Sequence, residues 1–372
     1  MPAGHEVNLS APDRDEVIFI SRGLASASAV GGSLSELQQV TLEAVTKSMT
    51  QFDVDFGSLE PLTAAEFADG LRFRNAAFRT RMVQLMELSH MVLAEPSVEI
   101  ADRVIEFAHA LGVDSACIDK AREVAEGSRQ LVAADFDRSS YISALDLSAF
   151  TPLSSADDNV WAWTNTADKP ELVERWRELG ELPEGTLGRG VHDFYLARGF
   201  RFPGSPGSAP PLLAQHDWVH VLADYGSKVE SELEVFAFIA RASDNPEAFT
   251  LLAMVLNLFH SGRLDRAAGF FEAAPGHLCD SGMPVRLGDA MRRGALCDGS
   301  VDFLAVDYFS MADQPVEEVR AAFGVVPKAD EALRAGSAGP WEPGGISTAQ
   351  VAAGQALAAE EGRRWDSHGA TV

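Results

Sequence analysis

Three cysteines in 372 residues, Cys117, Cys279 and Cys297, with no CxxC spacing among them, exclude a disulfide framework and a thiolate metal cage. They read as small buried hydrophobes in a reducing compartment. Basic residues are also scarce, with 30 Lys and Arg against 55 Asp and Glu and a formal charge of −25. Nucleic acid is therefore excluded as a partner, because phosphate binding needs clustered Lys and Arg that release counterions, and no such cluster is present. The same charge repels an anionic lipid surface, so any membrane contact has to come from an apolar patch. No apolar run is long enough to span a bilayer: the longest, Ala248 to Phe259, is broken by Thr250 and Asn257 and reads as a core helix. The opening stretch, with His5, Glu6, Asp13, Arg14 and Asp15, lacks the basic and apolar regions of a signal peptide. The expected location is cytoplasmic, with peripheral contact at the inner face of the membrane as the alternative. GxGxxG, P-loop and GxSxG motifs and internal repeats are all missing.

What is present is His216-Asp217-Trp218-Val219-His220, followed after eleven residues by Glu232. Helical residues at i and i+4 share a face, so the two imidazoles can turn their ring nitrogens toward one ion. The glutamate that a zinc protease carries between such histidines is missing. Asp217 follows the first histidine directly, about 100° around the helix, where it is either a further ligand or an orienting group for an imidazole. The stretch Val221 to Glu230 reads as a helix end, a glycine turn and a new helix start, with Ser227 and Glu230 as a capping box. The next helix then runs back antiparallel and brings Glu232 toward the histidines. Glu230 and Glu234 lie in the same stretch, and spacing alone does not choose among the three.

This motif and its surroundings resemble the coenzyme Q (ubiquinone) biosynthesis protein 4 family, whose hallmark is H-D-x-x-H, eleven residues, then E. His216, Asp217, His220 and Glu232 meet it. Upstream, Leu182-Pro183-Glu184-Gly185-Thr186-Leu187-Gly188-Arg189 and Asp193-Phe194-Tyr195 resemble the segment that enters the family's domain. Downstream, Glu232 to Phe238 resembles its glutamate-bearing helix, and Pro315 to Val325 its closing charged helix. The resemblance covers about residues 171 to 328. Two positions depart from it, since the family has glycine where this chain has Asp224 and Ser231.

The resemblance implies a divalent metal held by His216, Asp217, His220 and Glu232, with Arg189 and Asp217 in catalytic roles. Two histidines and one or two carboxylates suit zinc with an open position, and equally the facial triad of non-haem iron, with manganese a further alternative. The family is implicated in oxidative decarboxylation at C1 of a polyprenylated hydroxybenzoate, and in holding a quinone-biosynthesis complex together. The implied partners are thus a prenylated aromatic or other isoprenoid lipid, other quinone-biosynthesis proteins, and a second copy of the chain. Arg189 is the best-placed cation for a ring carboxylate, by bidentate contact, or else a structural salt-bridge partner. Two other readings stand beside the enzyme. One is a metal-stabilised lipid-binding scaffold; the other is an HD-type phosphohydrolase, for which His192-Asp193 supplies a second His-Asp pair. That last reading leaves His220 and Glu232 without a role.

The expected fold is all-α, two helical domains joined by a linker. Residues 1–33 read as a partly ordered arm with a β-prone patch, Val17 to Ile20. Residues 34–146 read as a helical bundle, with helices over Leu34 to Met49 and Phe67 to Leu93 and a third bearing Ile100, Val104, Phe107 and Leu111 up to Gly112. This bundle bears a looser resemblance to TerB-like domains. Its Met82, Met86 and Met91 read as core and its His90 and His109 lack partners as ligands. Residues 147–170, containing Trp161 and Trp163, read as a linker; residues 171–328 form the metal-binding domain; residues 329–372 are an Ala- and Gly-rich tail with at most one helix, from Thr348 to Glu361. Phe202 to Pro211 reads as a pocket wall or lid. Leu233 to Ala240 and Ala248 to Phe259 are expected to line a tunnel for a prenyl tail.

Overall fold

The computed structural model describes residues 11–29, 31–91, 93, 98–113, 169–206, 208, 211–243, 252 and 282–372. The linker, the Trp161 and Trp163 pair, Cys117, Cys279 and the stretch Ala248 to Phe259 lie outside the described residues or almost wholly so. Among the described residues the fold is all-α, with thirteen helices and, in place of strands, only two isolated bridges, Thr186 with Pro315 and Pro343 with Thr371.

The first half contains α1 (Arg14–Ser28), α2 (Glu36–Thr50), α3 (Ala64–Gly70), α4 (Ala76–Met91) and α5 (Val98–Ala110). The expected β-prone arm is a helix over Arg14–Ser28. Asp13 caps it by accepting from the Glu16 amide, and Val17, Ile20, Leu24 and Ala27 recur at helical spacing on its buried side. Local β-propensity in a four-residue patch yields to that longer pattern. The helix also needs Gly23, because a Cβ there would lie 2.3 Å from the Phe67 ring.

The single helix expected over Phe67 to Leu93 is two. It breaks after Gly70 and restarts at Ala76, where the Asn75 side chain accepts from the Phe78 amide at 2.8 Å. Met82 and Met86 are buried core, and Ile100, Val104, Phe107 and Leu111 form the buried face expected of α5, which ends at Gly112 in the left-handed region. Gln38 donates to the carbonyls of Ser28 and Ser89 at 2.9 and 3.1 Å and so ties α1, α2 and α4 together.

The second half contains α6 (Pro170–Glu178), α7 (Leu187–Arg198), α8 (Pro211–Leu222), α9 (Val229–Ala242), α10 (Met283–Ala295), α11 (Val316–Ala322), α12 (Asp330–Arg334) and α13 (Thr348–Glu360). Helix α9 lies against α10 at very close range, since a Cβ on Gly294 would fall 2.2 Å from the Phe238 carbonyl oxygen. Helix α10 packs in turn on α2, and buried residues of both halves form one continuous core. Cys297 belongs to it, and burial pushes its thiol up to about 12, as fits an inert hydrophobe.

Residues 329–372 hold two helices, α12 and α13, rather than at most one, and they are docked rather than loose. The Gly226 amide donates to Ala338 O at 2.8 Å and the Ser227 amide to Gly345 O at 2.9 Å. Gly354 in α13 sits against α7, and Trp365 Nε1 donates to the Ala197 carbonyl at 3.0 Å. An Ala- and Gly-rich composition suggests a loose tail, yet here glycine lets two backbones approach closer than any side chain would allow. A Cβ at Gly354 would lie 2.2 Å from Ala197 O.

This docking has a sign that can be checked. Glycine to alanine inside a helix ordinarily gains about 0.5–1 kcal/mol. Gly354→Ala should instead lose about 1–3 kcal/mol, the usual penalty of overpacking. Urea unfolding measures it, and equal or greater stability would mean that α13 does not rest on α7.

Candidate metal centre

Helix α8 carries His216, Asp217 and His220, each at most 1% exposed, and α9 returns Glu232 to face them at 2%. Glu232 Oε2 lies 3.2 Å from His216 Nε2 and 3.2 Å from His220 Nε2. The choice left open by spacing is thereby made. Glu234 turns away to Arg286, with which it makes a 2.7 Å bond, and Glu230 sits only partly buried near the start of the helix.

The turn between the helices differs from expectation. Lys228 is the N-cap of α9 and makes no side-chain cap, so the Ser227–Glu230 capping box does not form. Ser227 is instead fully buried and hydrogen-bonds Gln350 Oε1 at 2.9 Å, and it accepts from the buried Arg198 guanidinium. Arg198 Nη2 also donates to the Pro340 and Gly345 carbonyls at 2.8 and 2.9 Å. The pull of these tertiary partners outweighs a local cap worth about 1 kcal/mol. Asp224, where the resembling family has glycine, holds left-handed backbone at φ 61°, a conformation that aspartate tolerates better than most residues.

Gly226 sets the tautomer of His220. Its carbonyl oxygen stands 2.7 Å from His220 Nδ1, and because a carbonyl only accepts, Nδ1 carries the proton. In the neutral ring Nε2 then presents a bare lone pair to Glu232, and this buried nitrogen has no hydrogen-bond partner. Two arrangements relieve a lone pair facing a carboxylate: a proton on Nε2, or a cation between the groups. Each has its own characteristic separation. A charge-assisted N–H···O⁻ bond closes to about 2.7–2.9 Å. Ligands held about 2.0–2.1 Å from one tetrahedral ion lie about 3.3 Å apart, and both separations here are 3.2 Å.

Asp217 has a carboxylate oxygen within 4.8 Å of ligand atoms on both histidines, and 3.8 Å separates its Oδ1 from His216 Nδ1. Its Oδ2 accepts from the Tyr195 hydroxyl, a partner on α7. Ligand atoms of His216, Asp217 and His220 thus lie together, while Glu232 Oε2 is the oxygen that faces both Nε2 atoms, so either carboxylate is placed to complete the donor set. Aromatic rings close the site: Phe194 stacks on His220 and Phe236 on His216, each with centroids 5.1 Å apart. Burial by itself would raise the Glu232 carboxyl; positive charge at His220, then hydrogen bonding from His216 and His220, would hold it well below the usual carboxylate range, and without a cation in the site that pull requires protonated imidazoles. The donor set of two imidazoles and one or two carboxylates, with one orphaned nitrogen, fits a divalent cation.

Arg189 is directed elsewhere. Its Nε bonds Asp193 at 2.9 and 3.0 Å and its Nη1 bonds Gly180 O at 3.1 Å, and none of its hydrogen bonds reaches the histidines or Glu232. The salt-bridge alternative describes these contacts. Asp193 also faces His192 Nδ1 at 3.1 Å, while the His192 ring stacks on Phe202, so this second His-Asp pair is engaged with protein partners. Phe202, which opens the expected lid, stacks its ring on Trp176 and Tyr195. Two contributors escaped the sequence reading. Tyr195 stood inside the family-like Asp-Phe-Tyr segment without a role, and Gly226 acts through its backbone, which no residue type reveals.

No family model matches the chain, and neither does any curated protein. One similar solved structure is a crystal structure of a protein named "putative ubiquinone biosynthesis protein" from Nostoc punctiforme PCC 73102. It is 19% identical, with 66% of this chain and 99% of that chain covered at a TM-score of 0.30, an overlap too loose to carry an argument about the site.

Tyr195→Phe keeps the ring and removes the donor to Asp217. Orienting partners of this kind contribute about 10–100-fold to metal affinity, so a competition titration with a chromophoric chelator should show a loss in that range. Unchanged affinity would remove Asp217 and Tyr195 from the site's working parts.

Proposed function

We propose that His216, His220 and Glu232, with Asp217 beside them, hold a divalent cation, zinc before iron or manganese, and that the chain serves quinone biosynthesis by acting on a prenylated hydroxybenzoate-like lipid. The observation that carries the metal is the buried His220 Nε2, stripped of its proton by the Gly226 carbonyl and aimed at Glu232. The substrate class rests on the motif's resemblance to the quinone family and is supported by the apolar, aromatic walls of the site.

When bound, such a cation supplies Lewis acidity, polarising ring oxygens and stabilising charge as carbon dioxide leaves. The chain's own residues do the rest. Gly226 O holds the His220 proton on Nδ1, Tyr195 holds the Asp217 carboxylate, and Phe194 and Phe236 exclude water so that these charges act in a medium of low polarity. Redox-inert zinc does not activate oxygen, so the hydroxylating half of an oxidative decarboxylation requires iron, manganese or a separate oxidant.

A second reading has its own observation. The four side chains are at most 3% exposed, which suits a closed structural site in a lipid-binding scaffold that recruits other biosynthetic proteins or a second copy. No described helix is long and apolar enough to cross a membrane, so contact with a bilayer in either reading is peripheral or made by the stretches not described.

Elemental analysis of the purified chain should find about one divalent cation per chain, and mass spectrometry of the same sample should find an isoprenoid lipid. Glu232→Ala should lower occupancy by at least about 10-fold. In the catalytic reading decarboxylating turnover vanishes with the fold intact; in the scaffold reading thermal stability falls together with occupancy. Full occupancy, stability and turnover in Glu232→Ala would refute both.

A further inference from the structure

Two residues beyond Glu232, about 200° around α9, Glu234 is equally buried but faces a different neighbourhood. Arg286 and Arg293 approach it from α10, Tyr225 from the α8–α9 turn and Lys328 from the segment before α12. Arg286 Nη2 bonds Glu234 Oε2 at 2.7 Å. Arg293 Cζ lies 4.8 Å and Lys328 Nζ 5.3 Å from the Tyr225 ring centroid, so two cations share one phenol ring. Ser337 stands between Gly336, whose Cβ position would be 3.9 Å from Arg286 Nη1, and Ala338, which accepts from the Gly226 amide.

The cluster is left with unmet polar atoms. Arg293 Nη1, Arg286 Nε, Glu234 Oε1 and Ser337 Oγ are buried without a well-formed hydrogen bond, as are Tyr225 Oη, beside the Arg293 guanidinium, and Lys328 Nζ, whose partner is the ion pair with Asp224. Donors dominate. Native interiors leave only a few such groups unmet, and a bound ligand or ordered water is what satisfies several in one place. Lys328 is 3.3 Å from Asp224, and Asp289 is engaged by Arg292 at 2.6 Å and the Ala329 amide at 3.3 Å. Among the described residues four cations thus face three carboxylates: Arg286, Lys328 and Arg292 each hold a carboxylate, while Arg293 Nε bonds the Val326 carbonyl at 2.8 Å and its guanidinium lies against Tyr225. Burial raises the Tyr225 hydroxyl far above its ordinary value, so it remains a donor.

We propose that this cluster is a second ligand site, which takes a small oxyanion of the phosphate or compact carboxylate class between Arg293, Lys328, Arg286 and Tyr225. An acceptor-only ligand with one or two charges satisfies the orphaned donors and balances the excess cation, as fork-shaped guanidinium groups do for phosphate and carboxylate. The chain's overall −25 opposes anion entry, so affinity comes from these short-range donors rather than from steering. The half-exposed Asp224 carboxylate, on Lys328, marks the solvent side. Nothing in this site depends on the metal.

Inorganic phosphate is the probe, titrated into the full chain against chloride at matched ionic strength, with calorimetry and thermal unfolding as readouts. Phosphate should bind saturably and raise Tm beyond the chloride control. Arg293→Met should weaken binding by at least about 10-fold, and Tyr225→Phe, which removes one donor without touching charge, by a few-fold, about 2–10. Zinc content should stay unchanged in both. If Arg293→Met does not fold, Tyr225→Phe decides. A wild-type response no larger than chloride gives, or equal phosphate binding in the variants, would overturn the proposal and leave the cluster as water-filled structural polarity.

Discussion

The hydrogen bond from His220 Nδ1 to the Gly226 carbonyl is the contact on which the centre depends. It fixes the tautomer, and in the neutral ring the tautomer turns an acceptor toward the Glu232 carboxylate in a buried place. Leaving such a buried group unmet costs about 1–3 kcal/mol, and burying a carboxylate without a counter-charge costs more. The same bond ties the site to the turn between α8 and α9, so the position of residues 223–228 becomes a condition of the chemistry.

That turn is held from behind by the last part of the chain. Gly226 and Ser227 donate to Ala338 and Gly345, Gln350 reaches both the Ser227 hydroxyl and its carbonyl, and Arg198 clamps Ser227 and the tail together while lying 3.8 Å over the Phe194 ring. Phe194 in turn stacks on His220. The path from the tail to the imidazole is therefore continuous through packed groups, and the tail acts as an orienting layer for the site rather than as an appendage.

Helices with strong periodic faces were legible in the sequence, as were the i, i+4 histidines and the return of a carboxylate, because those features rest on local geometry. Ile100, Val104, Phe107 and Leu111 fall where their spacing puts them. What escaped depends on contacts between distant segments. The Ser227–Glu230 box fits the local pattern, yet Ser227 serves Arg198 and Gln350 instead. Residues 337–345 look loose by composition, and their order comes from glycine-mediated approach to Gly226. Val17 to Ile20 looks β-prone over four residues but belongs to a helical stripe of eleven. Among three glutamates in α9, only the fold could single out Glu232.

The described interior carries charge of both signs: Arg198, Arg293, Arg286 and Lys328 are buried beside aromatic rings, and Asp217, Glu232, Glu234 and Asp289 are buried with them. At the centre, two imidazoles face the buried Glu232 carboxylate, and either a proton or a bound cation balances it. Anomalous diffraction at the zinc edge, from crystals of the full chain grown with zinc, tests this most directly. The account predicts one peak about 2 Å from His216 Nε2, His220 Nε2 and a Glu232 oxygen, with His220 Nδ1 still on the Gly226 carbonyl. No peak, together with Glu232 closing on His220 Nε2 to about 2.7 Å, would show a proton where the account places a metal.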